Sequence, residues 1–120
     1  MYAQAIEEYK AFGRLSGNEL DIEFASALEE GFRTSGWNGA LVRAARVLTA
    51  RRKKTYVAPY TIAELYADAG NKEEAFRWLN IALEERDDSL VTLLKGDYTV
   101  DSLRSDSRFA ELLRKTGLQP

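Results

Sequence analysis

The side chains that could do chemistry in this chain are carboxylates. They come largely as adjacent doublets: Glu7-Glu8, Glu29-Glu30, Glu73-Glu74, Glu84-Glu85 and Asp87-Asp88. Two carboxylates serve acid–base catalysis when they converge on one reacting centre and their environments drive their pKa values apart. Neighbours on a helix point about 100° apart, so none of these doublets makes a converging pair. They read as solvated helix faces and caps. Histidine and cysteine are absent, which removes imidazole bases, thiolate nucleophiles, disulfides and the usual zinc ligand sets. Asp97, Asp101 and Asp106 offer oxygen ligands without the Asp/Asn/Gly spacing of a calcium loop. Gly36-Trp37-Asn38-Gly39 is too short to cradle a phosphate and follows no strand. The expectation is a chain that is not an enzyme, with no catalytic residue, no cofactor and no metal.

The cations are the second candidate. Residues 43–54 hold Arg43, Arg46, Arg51, Arg52, Lys53 and Lys54 and no acid, whereas both flanks are acidic and the net charge is −2. Such a block reads either as a patch for nucleic acid or anionic lipid or as a helix end whose cations offset the macrodipole. Acidic flanks weaken phosphate binding, and a nucleic-acid domain is usually basic overall. The helix-end reading is preferred, and nucleic-acid contact through this helix is kept as the lesser alternative.

The elements that would position these groups are helical. The 120 residues suit one domain. Alanine, leucine, glutamate and arginine abound and strand-like alternation is almost absent. Apolar spacing predicts helices over 3–15 (Ala5, Ile6, Tyr9 and Phe12 on one face), 19–34, 38–53, 57–69, 72–86 and 107–116, and a short one over 89–95. Ser16-Gly17-Asn18, Ser35 to Gly39 and Gly70-Asn71 are the expected breaks. Pro59 suits a first helical turn. Asp87 and Asp88 are placed to cap the short helix, Asp106 the last one, and 97–103 reads as irregular. Trp37 is either a staple on the third helix or part of a contact surface. No apolar run approaches the roughly 20 residues that span a bilayer, so no membrane is implied, and the expected compartment is the cytoplasm.

Gly36 and Gly70 lie 34 residues apart, and at that offset Phe32 matches Tyr66, Leu28 matches Ile62 and Leu48 matches Ala82. The chain then reads Pro59-x₂-Ile62-Ala63-x₂-Tyr66, followed by Ala75-x₃-Leu79 and Ala82. On these residues it resembles the tetratricopeptide repeat family. Residues 56–89 are the best copy. Residues 22–55 are a degenerate one, with Glu29 where a small residue is usual. Residues 2–16 look like the second helix of a half repeat, and 90–120 like a capping segment. From Tyr56 to Leu118 the chain is similar to the ends of repeat arrays appended to bacterial signalling proteins that carry adenylate cyclase, winged-helix regulator or serine/threonine kinase domains. The pieces that carry this likeness are Tyr56-Val57-Ala58-Pro59-Tyr60, Ala75 to Leu79, Glu84-Glu85-Arg86 and Leu103 to Asp106 running into Arg108-Phe109.

The resemblance implies an all-α fold, a right-handed stack of antiparallel helix pairs forming a tetratricopeptide-like solenoid with a C-terminal capping helix. It implies a non-catalytic protein-interaction or regulatory module, a fragment of a larger bacterial signalling protein. The family's concave groove would be lined here by Glu23, Ser26, Glu30 and Arg33 from one repeat and by Val57, Tyr60, Glu64 and Asp68 from the next. That surface is mostly acidic, with Tyr60 as its anchor. It disfavours a terminal carboxylate and suits a basic or apolar peptide, from another protein or from another domain of the parent. Self-association as a homodimer, through an exposed second-helix surface, is the structural alternative.

Overall fold

Helix breakers and caps set the elements. In a computed structural model of the chain, which describes residues 2–87, 90 and 98–116, the first helix α1 (Tyr2–Ser16) stops where Gly17 turns to φ +66°, its N–H donating to Gly13 O at 3.0 Å. Asn18 then caps α2 (Glu19–Arg51), its Oδ1 accepting the N–H groups of Leu20 (2.8 Å) and Asp21 (3.4 Å). The break expected over 35–39 is a single residue. Only Gly36 leaves helical dihedrals (φ 75°, ψ −172°), a region open in practice to glycine alone, and helix resumes at once. The remaining elements are α3 (Pro59–Asp68), α4 (Lys72–Glu84), a 3₁₀ helix (Tyr98–Leu103) where irregular chain was expected, and α5 (Ser107–Thr116). No strand is present among the described residues. None of these helices is long and apolar enough to cross a membrane. Of the short helix expected over 89–95, only Leu90 lies within the described residues.

The chain divides into two compact units, Met1–Val57 and Ala58–Pro120. In the first, the two arms of α2 fold back on each other at Gly36. Arg51 reaches across them to Glu23 (2.7 Å) and Glu19 (3.8 Å). The arms approach closely at Gly31, where an added Cβ would stand 2.6 Å from Ala40 Cα and 2.8 Å from Gly39 O. Helix α1 runs antiparallel to the first arm. Gly13 meets the backbone of Ile22, the Tyr9 and Phe24 rings lie 5.5 Å apart, and Lys10 bonds Glu29 at 2.7 Å. That bond raises the Lys10 pKa and lowers the Glu29 pKa. Trp37 is a packing residue: it stacks on Tyr2 (4.8 Å, 7° between planes), and Phe32 stands edge-on to both.

In the second unit, α3 begins at Pro59. Its N-cap residue, Ala58, has no side chain to cap with. The cap comes from 27 residues away: Asp87 Oδ2 accepts the N–H of Tyr60 at 3.0 Å, and Asp87 is buried. The buried carboxylate closes the start of α3, because an uncapped N-terminus presents free N–H groups that a buried anion satisfies; its expected capping of the short helix over 89–95 falls on residues that, Leu90 aside, lie outside those described. α3 ends at Gly70 (φ +82°), with Asn71 N–H on Tyr66 O (2.9 Å) and Gly70 N–H on Ala67 O (3.1 Å). α4 ends in the same paired-bond motif, with Arg86 (φ 55°) in the position glycine usually fills. α3 packs on α4 and on the 3₁₀ helix, and α4 packs on α5. Ile62, Ala63, Ala75, Leu79, Val100 and Leu103 are sealed from solvent; each large aliphatic side chain among them contributes about 1.5–3 kcal/mol by leaving water.

Asp106 caps α5, accepting Arg108 N–H at 2.9 Å. The Arg108 guanidinium bonds Asp106 (2.9 Å) and Glu73 (3.0 Å) and lies over the Phe76 ring at 4.4 Å. Hydrogen bonds from the Arg108 side chain, then from its backbone, pull the Asp106 carboxyl from 3.8 to about 2. The folded state prefers this carboxylate charged. Its contribution to stability is thus full above pH 4 or so and is lost as pH falls toward about 2. An NMR titration should find Asp106 at the bottom of that range, and Arg108→Ala should return it toward 3.8.

Candidate interaction surface

An amphipathic helix is expected to bury one stripe, and α1 carries more apolar surface than one neighbour covers. Ile6 and Gly13 face the first arm of α2 and are buried. Tyr2, Ala5, Tyr9 and Phe12, at spacings of three and four, form an adjacent stripe. Tyr2 is 47% exposed, Tyr9 46%, Phe12 59%, Leu15 88% and Ile22, at the start of α2, 45%. Of the four residues expected on one face, Ile6 goes inward, while Tyr9 and Phe12 border solvent. Ala5, Glu8, Tyr9 and Phe12 line a groove of about 490 Å³. These four occupy positions i, i+3, i+4 and i+7, the diamond that receives a side chain from a second helix. The signal in the sequence was the breadth of the apolar arc.

The residues expected to line a concave groove fare differently. Glu23, Ser26, Glu30 and Arg33 share one face of the first arm of α2. Glu23 is held by Arg51 and Glu30 by Arg33, so two of the acids are already matched by cations. Val57 and Tyr60, expected on an open face, are 7% and 0% exposed. The buried arc of α3 takes in Tyr60, Ala63 and Ala67 as well as Ile62 and Tyr66, about half the circumference, and a ring in that arc presents nothing to a ligand. Glu64 is half-buried and Asp68 exposed.

The basic block is not one surface. Arg43 and Arg46 are exposed and, with Ser35, Asn38, Gly39 and Val42, line a shallow concavity of about 350 Å³. Arg51 is drawn back to Glu23 and Glu19, and Arg52 donates from Nε to Val57 O at 3.2 Å. Lys53 and Lys54 are exposed beyond the end of α2. Among the described residues no three acidic side chains gather as a metal site. The arrangement that remains is chemically simple: a groove of aromatic rings with one carboxylate at its edge, able to seat an apolar side chain.

Comparison with protein-family models, with curated proteins and with solved structures returns no match.

Proposed function

We propose that this chain is a non-catalytic protein-interaction module of the tetratricopeptide kind, and that α1 presents its docking surface. The observation that carries the reading is the groove on α1, with Tyr9 and Phe12 about half exposed along it. Aromatic surface left open at this scale marks a contact site. The repeat reading is supported by burial at the 34-residue offset. Leu28 and Ile62, Leu41 and Ala75, Ala45 and Leu79, and Leu48 and Ala82 are buried at both members of each pair, and Gly36 and Gly70 both have positive φ. One departure is Glu29, which is exposed and paired with Lys10 where Ala63 is buried. The partner is a protein segment that offers a helix with an apolar stripe, and a regulatory role within a signalling protein follows from the resemblance.

Selection of helical peptides displayed on phage tests the reading. Enriched peptides should shift the amide resonances of residues 5–15, and Phe12→Asp should weaken their binding about tenfold or more. Because Phe12 is exposed, that variant should unfold within about 0.5 kcal/mol of the parent. No enrichment, or binders that map elsewhere, would overturn the reading.

A further inference from the structure

We infer that the helix seated on α1 is the α1 of a second copy of this chain, an inference that rests on the reading of α1 as a docking surface. The diamond is a hole with a small floor, Ala5, at one end, Phe12 at the other, and Tyr9 across from the Glu8 edge. A hole of this kind needs a large, exposed, apolar knob on an equally exposed helix. Phe12 meets that description on the same face, with Leu15 one turn away and more exposed still. When Phe12 of one copy enters the hole of the other, a twofold axis makes the second insertion identical to the first. An isologous interface requires this reciprocity.

The exposed apolar area supports the pairing. The exposed parts of Tyr2, Tyr9, Phe12, Leu15 and Ile22 amount to roughly 550 Å² per copy, at about 200 Å² for a large side chain. That is about two-thirds of the roughly 800 Å² that each partner buries in an interface of standard size. Lys10 is drawn to Glu29 and Glu7, away from the stripe. Glu8, at the edge of the hole, is the one charged side chain among the described residues of the stripe.

The test is the concentration dependence of mass by sedimentation equilibrium, on the full chain and on three variants checked by circular dichroism. The 13.5 kDa chain should approach twice its mass with a Kd of micromolar order. Phe12→Ala, which removes the knob, should weaken association about tenfold or more. Ala5→Leu should also weaken it, because it raises the floor of the hole. General stickiness predicts the reverse, since leucine adds apolar surface. The double variant Ala5→Leu with Phe12→Ala should associate more tightly than either single one, the coupling expected of side chains in contact across the axis. A parent chain that stays monomeric to about 1 mM, or an Ala5→Leu variant that associates more tightly, overturns the inference. If displayed peptides still map to residues 5–15 in that case, the docking surface stands and only its occupant is wrong. If they do not, both fall.

Discussion

Gly31→Ala should destabilise the chain by about 2 kcal/mol, although alanine is the better helix former. Two effects compete. In an exposed helix, replacing glycine with alanine gains about 1 kcal/mol. At Gly31 the new Cβ would lie 2.6 Å from Ala40 Cα, 2.8 Å from Gly39 O and 2.9 Å from Ala40 N. All three are backbone atoms of the opposite arm of the same helix, so no rotamer change relieves the contact. The arms must separate, and Ala40, Ala44 and Ala45, all sealed from solvent, separate with them. Overpacking of this kind costs about 1–3 kcal/mol and occasionally more, so the steric effect wins. Gly31→Val should cost more than Gly31→Ala, because it adds bulk and β-branching. Urea unfolding followed by circular dichroism gives the sign directly, and a neutral or stabilised Gly31→Ala variant would show that the arms do not pack as closely as described.

Asp87→Ala should cost about 2–3 kcal/mol, and the loss should appear at the far end of another helix. The Asp87 carboxylate is buried and accepts the Tyr60 N–H at 3.0 Å. Tyr60 has no solvent exposure, so water cannot replace the lost acceptor. A hydrogen bond to a charged group contributes about 1.5–3 kcal/mol, and an orphaned buried donor costs a similar amount. Asp87→Asn keeps an acceptor at the same reach and loses the attraction between a negative charge and the helix N-terminus, so it should cost about 1 kcal/mol. Amide hydrogen exchange distinguishes this capping role from general loosening. Protection at Tyr60 and Thr61 should fall more than protection in the middle of α4. Equal losses along both helices would mean that Asp87 serves the fold in some other way.

Much of the helical plan was legible because its signals are local. Gly17-Asn18 and Gly70-Asn71 end one helix and cap the next through φ values and side-chain oxygens that depend on a few neighbouring residues. Asp106 behaves the same way two residues from its donor. Gly36 shows the limit of local signals. The run from Ser35 to Gly39 has the composition of a loop, yet one glycine absorbs the whole reversal, and Trp37 is recruited into helix by stacking on Tyr2. Whether the flanking residues continue the helix depends on what they find to pack against, which composition does not state.

By itself, then, the sequence determined that the chain is helical, where most helices begin and end, that no thiol or imidazole chemistry is available, and that residues at a 34-residue offset share their apolar character. The tertiary structure alone decided three things. It put the Asp87 carboxylate on a helix end 27 residues earlier, it buried Tyr60 and Val57, and it left Tyr9 and Phe12 open on α1. The reason is common to all three. Dihedral preference, capping and periodicity act within a turn or two of chain, whereas which apolar face is covered, and which buried donor an anion can reach, depends on segments brought together only when the helices pack.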